Sequence, residues 1–239
     1  MLPVSAYRKA ICVQTETGNG ILSMKQVEYI DRKTGARVVE SVMGDKALRF
    51  AYETLLGRTL WPDLFGSKAV SAWMGRRYDA PRSKKDIAAL AAIPGCRAEE
   101  AEKPLADYAS FNDFFTRRLK PGARPVGEGL VSPADGRLLL YLDADADTPF
   151  PLKGATRTLR TVFDGAAPAG RYDVAVIRLA PIDYHRFHFP CVCTTVAPVR
   201  VVPGLYHSVN PIALLRYPDV YADNERQIVK CEAAFGPFW

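Results

Sequence analysis

Residues 131–143 read VSPADGRLLLYLD. Pro133 and Gly136 mark a turn, Asp135 sits at its tip, and an apolar run follows at once. Short apolar runs bounded by Gly, Pro and Asp read as strands. The same texture returns in YDVAVIRLA (172–180) and CTTVAPVRVV (193–202). From Pro121 onward the chain is therefore expected to build β structure.

Upstream the pattern changes. VEYIDRKTGARVVESV (27–42) holds two short apolar runs around Asp31–Gly35, a hairpin signal with Lys33-Thr34-Gly35 as its turn. Asp45 can cap a helix whose apolar positions Leu48, Ala51, Leu55 and Leu56 share a face. Further helices are expected near Ser67–Met74, from Ser83 to Pro94-Gly95, and from Ser110. The last two carry Asp86 and Asp113 three residues after the serine, a capping-box variant. The expected fold is α+β, with a helical N-terminal part packed on a mainly antiparallel, barrel-like or sandwich-like β domain. Residues 1–25 read as a loose extension, 26–120 as a hairpin plus helical membrane-facing part, and 121–239 as a β catalytic domain.

Composition narrows the function classes. Apolar residues make up 48% and charged residues 24% of the 239, an ordinary globular balance. The net charge of +6 suits an anionic partner. No run of about 18 apolar residues predicts a spanning helix, and the start of the sequence lacks the apolar core of a signal peptide. Five cysteines without framework spacing point to a reducing, cytoplasmic setting. Cys191 and Cys193 would share one face of a strand, which suits packing better than a zinc site. From Ser67 to Lys85 there are six basic residues and one acid, with Trp61 and Trp73 nearby. Cations and indoles together are what a membrane surface binds; a solvated basic face with two core tryptophans is the plainer alternative. Nucleic acid is not indicated, because no stacking aromatics interleave the basic residues.

The chemistry gathers in the second half. All three histidines, His185, His188 and His207, fall within 23 residues. Two lie in LAPIDYHRFHFP (179–190), bracketed by Pro181 and Pro190. Histidine moves protons near neutral pH, and Asp135 could orient one from another strand, as carboxylates do in nucleophilic triads. An ordinary Asp-Gly turn and backbone-bonded histidines are the competing reading. In FFTRRLKPGARP, Arg117, Arg118, Lys120 and Arg124 could clamp a phosphate or carboxylate. A solvated helix end explains the same charges equally well.

FNDFFTRRLKPGARP, VSPADG, LAPIDYHRFHFP, YHSVNPIAL and NERQIV, in this order, resemble phosphatidylserine decarboxylase. YIDRKTG and GDKALRFAYETLLGR resemble its second subgroup, and the resemblance spans roughly 26–239. It implies conversion of phosphatidylserine to phosphatidylethanolamine and carbon dioxide at a membrane surface, by a peripheral enzyme on the cytoplasmic side. It implies a proenzyme that cuts itself at a serine, leaving a pyruvoyl group on a small partner subunit. That group would form a Schiff base with the substrate amine and act as an electron sink. Matched by position, Asp135 and His188 would activate the cleavage serine, and His185 would serve decarboxylation or protonation of the carbanion. Arg117, Arg118 and Arg124 would hold the lipid phosphate, and Tyr206 and Asn210 would line the pocket. A homo-oligomer is compatible with this reading, and no metal is expected.

No Gly-Ser-Thr-like motif follows the β runs among these residues: Gly66-Ser67 precedes a lysine, and Ser208 follows a histidine. The chain alone is therefore expected to be inactive, shortened before its cleavage serine. Two rivals stay open. A zinc hydrolase could use Asp135, His185 and His188, and a pseudoenzyme could bind lipid without turnover.

Overall fold

The computed structural model describes residues 28–31, 34–39, 66–152, 155–207 and 223–239. The helix expected after Asp45, together with Trp61, Ser208 and Asn210, lies outside these residues.

Strands β1 (Glu28–Ile30) and β2 (Arg37–Val39) pair antiparallel, forming the expected hairpin. Asp31 shapes the turn: its side chain accepts from the Thr34 N–H at 2.9 Å. Gly35 closes it at φ 71°, a left-handed conformation that costs glycine little.

Helix α1 (Lys68–Asp79) begins where Ser67 accepts a hydrogen bond from the Val70 N–H at 3.3 Å. None of its residues is buried. A 3₁₀ turn (Pro81–Asp86) leads into α2 (Ile87–Ala91). Ser83 does not cap a helix as expected. Proline at the start opens the turn earlier, and the buried Ser83 hydroxyl bonds across elements instead. It donates to the Ala80 carbonyl at 2.7 Å and accepts from the Phe111 N–H at 2.9 Å. Helix α3 (Phe111–Phe115) is capped by Ser110, which accepts from the Asp113 N–H. Asp113 reaches back to the Ala109 N–H at 2.9 Å. Ile87 and Leu90 of α2, Phe111 and Phe114 of α3, and Cys96, Ala101 and Tyr108 between them form one buried core.

The β half follows. Strand β3 (Arg137–Ala144) pairs antiparallel with β6 (Tyr172–Arg178), from Arg137 opposite Arg178 to Ala144 opposite Tyr172. Alternation places Leu139, Tyr141, Tyr172, Val174 and Val176 on one face. That face packs on Leu159 of α4 (Leu159–Val162). The hairpin β4 (Phe150–Leu152) and β5 (Ala155–Arg157) lies between. The run at 193–202 splits into β7 (Cys193–Thr195) and β8 (Arg200–Val202), separated by Ala197-Pro198. Strand β9 (Arg226–Ile228) pairs with β8, and β10 (Cys231–Ala233) lies between β7 and β11 (Gly236–Phe238). The fold is thus α+β with antiparallel sheets. Among the described residues the sheets have two or three strands each, and no closed barrel is formed.

Candidate active site

Two backbone hydrogen bonds build the site. The Val131 N–H donates to the Pro190 carbonyl at 2.8 Å, and the His188 N–H donates to the Pro133 carbonyl at 2.9 Å. Together they hold the Asp135 turn against the loop that carries His185 and His188. Gly136 lets this turn pass close to the end of β6. Its φ is 150°, and a Cβ there would lie 2.8 Å from the Arg178 carbonyl oxygen.

Asp135 is gripped by arginines. Its carboxylate accepts from Arg124 Nε at 2.9 Å, Arg124 Nη2 at 2.7 Å and Arg97 Nη2 at 3.1 Å. Arg124 also reaches Glu100 at 2.8 Å. No hydrogen bond joins Asp135 to His188 among the described residues. Burial by itself pushes the Asp135 carboxyl upward, but bonding from Arg124 and the charges of Arg124, Arg97 and Arg117 outweigh it. The group lies below the usual carboxylate range and stays ionised. A carboxyl depressed on folding stabilises the fold above its unfolded pKa, about 3.9, and loses that contribution as pH falls through the lower folded value. Acid unfolding below about pH 4 is therefore expected to be steeper for this chain than for Asp135→Asn. Circular dichroism across a pH series measures the difference, and equal acid slopes would count against the ion cluster.

His185 is half-buried and lies against Phe115, with ring centroids 3.9 Å apart. Its Nδ1 sits 3.0 Å from the Asp183 carbonyl oxygen. Bonding through Nδ1–H leaves the lone pair on Nε2. Burial holds the imidazole below its ordinary pKa and Arg117 adds to this, while the Asp183 carbonyl and charge oppose it. The Asp183 carboxylate is engaged elsewhere, by Arg137 at 2.5 Å and the Ala180 N–H at 2.6 Å. His188 is exposed, with Nδ1 2.7 Å from the Phe189 carbonyl oxygen, so its Nε2 also remains available.

The other expected site residues separate. Arg117 is buried, Arg118 is exposed and forms no ion pair among the described residues, and Arg124 is committed to Asp135 and Glu100. Tyr206 lies beside Gly66, whose carbonyl accepts from its N–H at 2.7 Å, and neighbouring Glu225 pushes its phenol upward. No group of three or more metal-ligating side chains is placed to hold a metal among the described residues. Sequence reasoning missed Phe115, Arg97 and Glu100. Phe115 was visible as the phenylalanine of FNDFF that lies off the Phe111–Phe114 core pair. Arg97 and Glu100 lie in a polar stretch with no motif to mark them.

Residues 111–239 match the family model described as phosphatidylserine decarboxylase. The chain is 36% identical over 219 residues to the phosphatidylserine decarboxylase proenzyme of Fusobacterium nucleatum, covering 88% of this chain and 73% of that one. It is 35% identical over 209 residues to the proenzyme of Desulfitobacterium hafniense, covering 84% and 69%. It is 36% identical over 211 residues to that of Chlamydia muridarum, covering 86% and 70%.

Proposed function

The chain belongs to the phosphatidylserine decarboxylase family, and from that premise we propose that it converts phosphatidylserine to phosphatidylethanolamine and carbon dioxide. The observation that carries the site assignment is the pairing of the Asp135 turn with the His185–His188 loop.

The cofactor of this reading is a pyruvoyl group made from a serine that is not among these residues and carried by a small partner subunit. Its carbonyl supplies an electron sink for decarboxylation. The donor set suits an uncharged carbonyl group. His185 offers one free ring nitrogen in a half-buried, aromatic setting, and the nearby Asp183 carboxylate is already engaged. In this reading His188 Nε2 takes the proton of the cleavage serine. Asp135 keeps a negative charge in the turn beside it, and His185 Nε2 handles the proton at the substrate carbon.

Membrane contact falls to α1. Trp73, Arg76 and Arg77 are exposed at i, i+3 and i+4, hence on one helix face. An indole with two cations suits an anionic lipid interface. No helix of the described residues is long and apolar enough to cross a membrane; peripheral docking on the cytoplasmic side is part of the proposed reading. Arg118, exposed and without an ion pair among the described residues, is the candidate contact for the lipid phosphate.

The test expresses a reading frame that includes the cleavage serine and measures carbon dioxide from phosphatidylserine in vesicles. Expected are turnover, a KM raised by up to about fivefold in Arg118→Ala, and loss of vesicle turnover but not detergent-micelle turnover in Trp73→Ala. A correctly cut protein that releases no carbon dioxide would overturn the assignment.

A further inference from the structure

Arg117 is 3% exposed, and among the described residues no carboxylate contacts its guanidinium. Among the described residues it forms no ion pair, and its buried Nε has no hydrogen-bond partner. Nη1 reaches the Phe114 carbonyl at 3.5 Å and Nη2 the Ile182 carbonyl at 3.4 Å. The guanidinium lies over the Phe114 ring, 4.9 Å from its centroid. Burying a charge without a partner costs several kcal/mol, so a guanidinium held this way needs a reason.

Its surroundings supply one. Ile182 begins the loop that carries His185, and Arg117 closes the turn after α3. A second bond crosses the other way, from Arg186 Nε in the loop to the Thr116 carbonyl at 2.8 Å. Phe115, between these anchors, is the ring on which His185 lies. Substrate has poor access to a side chain this buried, and the phosphate role expected of Arg117 from sequence fits the exposed Arg118 better.

We propose that Arg117 is a positioning residue for His185, fastening the histidine loop to the end of α3 so that the imidazole lies on Phe115 with Nε2 presented. This rests on the reading that His185 serves the reaction. The charged groups facing the imidazole are Arg117 from the end of α3 and Asp183 from its own loop. The cation discourages a second proton on the ring, and Asp183 favours one. Arg117 thus acts on His185 twice, by geometry through Ile182 and by charge through space.

The two actions separate in an NMR titration of the 239-residue chain, which has three histidines. The readouts are the His185 midpoint, which reports charge, and the Phe115 ring-current shift on its protons, which reports position. His188 and His207 are internal controls for folding. Arg117→Met is expected to raise the His185 midpoint and shrink its ring-current shift, leaving both controls unmoved. Arg117→Lys is expected to keep the low midpoint while losing part of the ring-current shift, because one ammonium cannot span both carbonyls. A folded Arg117→Met with His185 unchanged in both readouts overturns the proposal. If Arg117→Met does not fold, Arg117→Lys decides alone, and an unaltered ring-current shift there overturns it. Neither readout needs the pyruvoyl group or turnover, so the result is independent of whether His185→Ala harms decarboxylation.

Discussion

In a reading frame that carries the cleavage serine, His188→Ala is expected to leave the proenzyme uncut, while His185→Ala is cut normally and decarboxylates poorly. A serine hydroxyl near neutral pH needs a base, and losing a positioned base costs about 10²–10⁴-fold in rate. His188 suits that task because its ring is exposed and its Nδ1 is tied to its own loop. An incoming segment can reach the free Nε2. His185 suits the later step because it is half-buried, lies on Phe115 and is held toward the neutral form by burial. Gel analysis of the cut products separates the first effect, and carbon dioxide release the second, where a drop of about 10²-fold is expected. Asp135→Asn should slow cutting without abolishing it, since the carboxylate bonds arginines rather than the histidine. The opposite pair of phenotypes, an uncut His185→Ala and a cut but inactive His188→Ala, would exchange the two roles.

Much of this site was legible because its parts are local. The turn of VSPADG needs its glycine where a Cβ would strike the Arg178 carbonyl, and proline brackets the histidine loop. Ser110 was legible as a cap because its hydroxyl serves the local Asp113 N–H and, among the described residues, no other partner. Ser83 carries the same S-x-x-D pattern, yet tertiary packing claims its hydroxyl to join the 3₁₀ turn to α3. The roles of the arginines were not legible at all. Charge alone cannot say that Arg124 faces Asp135, that Arg117 turns inward, or that Arg118 stays in water. Those outcomes depend on pairings between residues 11 to 65 positions apart. Cys231 is a similar case. Strand β10 places it diagonal to Cys193 across the sheet, and burial first, then Cys193, push the Cys231 thiol up; nothing in the C-x-C spacing announces that third cysteine.

Phe114→Ala is expected to cost the chain about 3–5 kcal/mol, a large part of the roughly 5–15 kcal/mol that holds a domain folded. Phe114 is fully buried, at 0% exposure. Tyr108 meets it edge-on with centroids 5.3 Å apart and an interplanar angle of 74°. Ile87, Leu90 and Phe111 belong to the same cluster. Truncation opens a cavity that the short α3 cannot collapse into, because Ser110 pins one end and the Arg117 and Arg186 bonds pin the other. The consequence reaches the site. Arg117 loses the ring it stands on, and the helix that carries Phe115 loosens beneath His185. Denaturant unfolding measures the stability loss. Trp73→Ala on the exposed face of α1 is the control, expected within about 0.5 kcal/mol of the parent. A Phe114→Ala loss no larger than that control would mean that the α2–α3 cluster does not carry the stability assigned to it. It would also remove the physical link between the helical core and the place of His185.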